Sequence, residues 1–181
     1  QVILQSSGIK NKFRPENNYN KGYQNAYFCF TPEIFSNFKP IQNLLKDTSL
    51  ISLINSYLNF DASIYACHTW YNPKTKDNHY VHRLHRDYDD FKFIGLIIYW
   101  NRITKKNGAT TYVKGSNVKL TKNKTKSYLE GNSGEAFLVD FSGLHSGTQV
   151  LNNYRYTTFI RFGHKFNYAS VIDGFLHSME I

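Results

Sequence analysis

The stretch HRLHRDYDDF, residues 82–91, puts two histidines and three aspartates into an otherwise lysine- and asparagine-rich chain. On an extended strand, residues two apart point to one face. His85 and Asp87 would then project together, with His82, Leu84 and Arg86 on the other side. A neutral imidazole beside a carboxylate suits a divalent metal, and such a site needs a third ligand. The candidate is His145 in LVDFSGLHSGTQV, just past an apolar run and flanked by Gly143 and Gly147. Two histidines and one carboxylate on one face of a metal leave the opposite positions open, the donor set of non-haem Fe(II) oxygenases. Ten residues beyond His145 comes Arg155, opening the run YRYTTFIRFG. A buried guanidinium there could grip a dicarboxylate in a bidentate pair.

These residues need a frame. At 181 residues the chain fits one domain, and 41% hydrophobic with 17% aromatic content excludes a disordered chain. The composition predicts a helical part over about 31–60. Thr31-Pro32-Glu33 is a helix start, followed by Ile34, Phe35, Phe38, Ile41, Leu44 and Leu45, with Pro40 breaking or kinking the helix. Ser49 is expected to cap a second helix with Ile51, Leu53, Ile54, Tyr57 and Leu58 on its apolar face. From residue 61 to about 165 the pattern changes to short β runs: SIYACHTWY, YVHRLHRDY, FIGLIIYWN, ATTYVKG, EAFLVDF and YRYTTFIRFG. Asn107-Gly108 reads as a hairpin turn between the third and fourth. Helices followed by many strands, without βα alternation, predict a mainly β fold with flanking helices, an antiparallel barrel or jelly roll.

The net charge of +9 raises the question of nucleic acid, yet the basic residues are scattered. Zinc-finger spacing, heptads and RNA-recognition aromatics are missing from the sequence, so nucleic acid is a minor reading. The exception to the scatter is Lys119, Lys122, Lys124 and Lys126 in the connection 117–130. Beside an active-site mouth it would form a positive lid that favours an anionic small-molecule substrate; otherwise it is a solvated loop. No apolar run has the ~20 residues of a membrane span, and the two cysteines, Cys29 and Cys67, form no disulfide framework. A cytoplasmic protein is expected, with no membrane partner. The chain begins at Gln1, which is expected of a processed form or a piece of a longer protein.

The ordered series His85-x-Asp87, then NGATTYVKGSN, then GEAFLVDFSGLHSGT, then Arg155 resembles the phytanoyl-CoA dioxygenase family of Fe(II)- and 2-oxoglutarate-dependent oxygenases. The likeness covers roughly residues 61–163. It implies a double-stranded β-helix, the cupin-like jelly roll. It also implies that His85, Asp87 and His145 bind Fe(II) and that Arg155 holds the distal carboxylate of 2-oxoglutarate. The activity implied is hydroxylation of a small organic substrate by O2, with release of succinate and CO2. Ala109 and Asn117 stand where that family commonly carries Pro and His. A carboxylate at Asp87, where a small residue would leave room for a halide, favours hydroxylation over halogenation. Two other readings are an oxidative demethylase acting on nucleic acid and a non-enzymatic jelly-roll binder. The demethylase branch also carries two arginines six residues apart, as Arg155 and Arg161 are here. Six strand residues span roughly 20 Å, so one small carboxylate is reached by one of them, and closeness to His145 favours Arg155.

Overall fold

The structure, a computed structural model, describes residues 39–76, 82–118 and 125–165. Among the described residues two helices come first, α1 (Lys39–Leu45) and α2 (Thr48–Leu58). Pro40 falls in the first turn of α1, where a missing N–H costs no helical hydrogen bond. The expected start at Thr31-Pro32 lies outside the described residues. The cap of α2 is Asp47 and not Ser49: its carboxylate accepts from the backbone N–H of Ser49 and Leu50. Asp47 stands one residue before the helix, where its side chain can turn back onto two unpaired donors. The buried stripe of α2 is Ile54 and Leu58, flanked by Leu50 and Ile51. Leu53 and Tyr57, expected on that face, are exposed.

Seven strands follow among the described residues: β1 (Ser63–Pro73), β2 (Ile94–Tyr99), β3 (Thr110–Val113), β4 (Lys126–Leu129), β5 (Ala136–Val139), β6 (His145–Ser146) and β7 (Tyr154–Gly163). They form two antiparallel sheets, a four-stranded one in the order β1-β7-β2-β5 and a three-stranded one in the order β4-β3-β6. This is the expected jelly roll with flanking helices.

The continuous apolar run of β2, IGLIIY, is explained by burial on both faces. Ile94, Leu96 and Ile98 meet Ile160 and Phe162 of β7 and, from the helices, Ile41, Ile54 and Leu58. On the opposite face Ile97 and Tyr99 join Phe93, Ile103, Ala109, Val139 and Phe141 between the sheets. Each fully buried side chain of this size contributes roughly 1.5–3 kcal/mol, and together they hold the four-stranded sheet between its two partners. Phe159 packs with the inner cluster, so Arg155, Thr157 and Arg161, two residues apart along β7, share that inner face.

Three expectations about the strands change. Asn107-Gly108 does turn the chain, with Gly108 at φ +98, but β2 and β3 do not pair. The turn carries the chain from one sheet to the other. Residues 82–91 form no strand beyond a single bridge from His85 to His145, because β6, the segment they meet, is only two residues long. The connection 117–130 is not all loop, since Lys126–Leu129 pair with β3 as β4. Lys119, Lys122 and Lys124 lie outside the described residues.

Candidate metal centre

His85 and His145 are brought together by the main chain. The backbone N–H of each donates to the carbonyl of the other at 2.9 Å. Asp87 is tied to the same segment, its N–H bonding to the Phe141 carbonyl at 3.0 Å. His145 is in turn registered by β3, opposite Tyr112. These bonds do the work expected of a strand, and His85 and Asp87 still project to one side. The Nε2 atoms of His85 and His145 each lie 3.6 Å from Oδ1 of Asp87. All three ligating atoms fall within 4.8 Å of one another, close enough to hold one metal ion.

The protonation pattern suits a cation. Nδ1 of His85 faces the Arg83 carbonyl at 2.8 Å, and Nδ1 of His145 faces that of Gly143 at 2.9 Å. A carbonyl only accepts, so each Nδ1 carries the proton and each Nε2 presents its lone pair towards the carboxylate. Burial holds the His145 pKa below its usual 6.5, which favours the neutral, ligating form. The Phe141 ring stands edge-on to His145, with centroids 4.7 Å apart, and fixes the imidazole plane.

Arg161 was missed as part of this centre. Its guanidinium donates to Oδ2 of Asp87 at 2.8 Å and to Asp89, and it lies over the Phe141 ring at 5.3 Å. Burial alone would lower its pKa, but the two carboxylates outweigh that and raise it. Asp89 also accepts from the Tyr65 hydroxyl at 2.8 Å. Asp90 bonds the backbone N–H of His164 at 3.2 Å and its ring Nδ1 at 2.8 Å. The two aspartates after the motif thus fasten it to β1 and to the end of β7. Asp140 ties the loop before His145: Oδ1 accepts from the Ser142 N–H and hydroxyl at 2.9 and 2.6 Å.

Arg155 is held apart from the triad, at the start of β7. Nε donates to Oδ1 of Asn72 at 2.9 Å, and a terminal nitrogen donates to the Gly108 carbonyl at 2.8 Å. Burial draws its pKa down, yet an arginine remains a cation. Among the described residues it is paired with no acid, so its charge is uncompensated. Two residues along the same face, the Thr157 hydroxyl is buried without a hydrogen-bond partner among the described residues. A buried orphan hydroxyl beside an uncompensated cation fits an absent acceptor with negative charge. With a two-histidine, one-carboxylate set on the same interior, the residues present fit a divalent metal together with a small dicarboxylate.

No family model matches the chain, and no curated protein matches its sequence. Solved structures do match. HygX from Streptomyces hygroscopicus, crystallised with nickel and 2-oxoglutarate, is 12% identical, with a TM-score of 0.65 over 91% of this chain and 76% of that one. AviO1 from Streptomyces viridochromogenes Tue57 is 15% identical, with a TM-score of 0.61 over 92% of this chain and 85% of that one. SnoK, described as a non-haem alpha-ketoglutarate-dependent carbocyclase from nogalamycin biosynthesis, is 9% identical, with a TM-score of 0.66 over 98% and 77%. The chain shares the fold of these proteins, a jelly roll.

Proposed function

We propose that the protein is an Fe(II)- and 2-oxoglutarate-dependent oxygenase that hydroxylates a small organic substrate. One observation carries this reading: two Nε2 atoms converge on one Asp87 oxygen, each with its Nδ1 already bonded to a carbonyl. His85, Asp87 and His145 would hold the iron, and Arg155 with Thr157 would hold the distal carboxylate of 2-oxoglutarate. Iron and 2-oxoglutarate, when bound, supply with O2 the oxidant for a C–H bond. The balance is substrate, 2-oxoglutarate and O2 in; hydroxylated substrate, succinate and CO2 out.

The chain's own residues orient and insulate. The carbonyls of Arg83 and Gly143 keep the ring protons on Nδ1, so no proton competes for the ligating lone pairs. The Arg155 cation compensates a carboxylate that would be costly to bury alone. Phe141, Phe159 and the inner cluster exclude water from the wall behind the centre. HygX has been crystallised with hygromycin B as well as nickel and 2-oxoglutarate, and a small-molecule substrate is proposed here on that likeness. An anionic one would suit the lysines of 117–130. Against the demethylase alternative stands Arg161, already engaged by Asp87 and Asp89, so Arg155 is the cation left for a dicarboxylate.

The experiment is succinate formation from 2-oxoglutarate by the purified chain under air, with and without Fe(II). Iron-dependent succinate that His85→Ala abolishes supports the proposal. Equal succinate without iron, or from the His85→Ala chain, refutes it.

A further inference from the structure

Asp87 is bound on both sides. Oδ1 faces the two imidazoles, while Oδ2 accepts from Arg161 at 2.8 Å. That contact fixes the carboxylate so that one oxygen points at the centre and the other away from it. It also sets a full positive charge one carboxylate's width from where a dication would sit. Like charges so close, in a partly buried setting, repel strongly. Arg161 and Asp87 leave only 22% and 18% of their side chains exposed, so water screens little of this.

The remedy lies on the far side of the guanidinium. Asp89 pairs with its other terminal nitrogen and is 21% exposed. The Tyr65 hydroxyl, donating to the same Asp89 oxygen at 2.8 Å, holds that carboxylate in place from β1. Arg161 is further confined by the Phe141 ring, which itself touches His145. The arginine is therefore rigidly placed, and its charge is offset by a carboxylate that ligates nothing.

We infer that Asp89 is a positioning residue for the metal centre: it neutralises Arg161, so that Arg161 can orient Asp87 without repelling the metal. The inference rests on the proposed metal site and adds a role for two residues outside the triad. Asp89 acts through charge and not through contact with the metal. Its loss leaves all three ligands present but surrounds them with one unbalanced positive charge.

The test is Mn(II) titration of the metal-free chain, by calorimetry, in the wild type, Asp89→Asn, Asp89→Glu and the double variant Asp89→Asn/Arg161→Met. Thermal midpoints of the metal-free forms are recorded alongside. Asp89→Asn should bind Mn(II) about tenfold more weakly, as expected when one unit of counter-charge beyond the guanidinium is removed from the surroundings of a dication. Asp89→Glu should restore binding to within about threefold of the wild type. The double variant removes the cation as well as its counter-charge, and should bind more tightly than Asp89→Asn. A merely structural Asp89 predicts the opposite order, the double variant being no better than the single. The double variant also keeps the test alive if a stranded guanidinium prevents Asp89→Asn from folding, since its affinity should then lie within about threefold of the wild type. Wild-type affinity in Asp89→Asn, or a double variant no tighter than a folded Asp89→Asn, overturns the inference alone. A wild-type chain that takes up no Mn(II) overturns the metal-site reading and the inference with it.

Discussion

His85 and His145, sixty residues apart in sequence, exchange backbone hydrogen bonds in both directions at 2.9 Å, and each ring bonds through Nδ1 to the carbonyl two residues earlier. The two proposed ligands are thus oriented by one local pattern used twice. Neither depends on the metal for its direction. The centre is pre-organised by the fold, and substitutions that leave the backbone pairing intact should act on binding and not on folding.

Arg155→Leu should leave metal affinity nearly unchanged and weaken 2-oxoglutarate binding to the metal-loaded chain. The loss of a charge-assisted pair in a buried site is expected to cost at least ~2 kcal/mol, or more than about tenfold in Kd. Titration of 2-oxoglutarate into the Mn(II)-loaded wild type and variant measures it. An unchanged Kd would remove Arg155 from the co-substrate site.

Gly95 couples the sheet to the proposed metal centre. A Cβ there would lie 2.2 Å from the Phe141 ring, and that ring stands against His145. Gly95→Ala should therefore destabilise the chain by about 1–3 kcal/mol through overpacking, and also weaken metal binding by displacing the ring. Chemical denaturation and metal titration test the two effects separately. Lost stability with unaltered metal affinity would mean that Phe141 does not fix the imidazole.

The Asp90 carboxyl supplies a pH signature. Burial works against its charge, but hydrogen bonds from His164 and from the Phe91 N–H outweigh that and hold its pKa below the usual 3.8. A folded-state pKa below the unfolded one stabilises the fold above about pH 3.8 and is lost as pH falls through the folded value. Asp90→Asn should be less stable than the wild type at neutral pH, and the gap should close in acid. A gap that stays constant from neutral pH down to about pH 2, well below the unfolded pKa, would contradict the assigned linkage.

The chain's order of chemistry-bearing residues was legible because each piece is local: His-x-Asp is three residues long, and β2 and β7 announce themselves by apolar and β-branched composition. The same runs pointed to an antiparallel barrel or jelly roll, and the family resemblance narrowed that to the jelly roll. What spacing could not reveal is pairing across distance. The bond from Arg161 to Asp87 spans 74 residues, and that from Tyr65 to Asp89 spans 24. The Asn107-Gly108 turn reads the same whether the next strand joins the same sheet or the opposite one. Likewise, HRLHRDY alternates like a strand, but a ladder needs a partner, and β6 offers only two residues. The Ser49 cap failed for a local reason, since Asp47 is an equally good capping residue two positions earlier.

The central claim is that His85, Asp87 and His145 form one iron site. Anaerobic calorimetric titration of Fe(II) into the metal-free chain, with His145→Ala as comparison, tests it most directly. One tight equivalent per wild-type chain, lost in a His145→Ala protein that keeps its metal-free thermal midpoint, is the predicted result. Stoichiometric iron binding of equal affinity in His145→Ala would contradict the account.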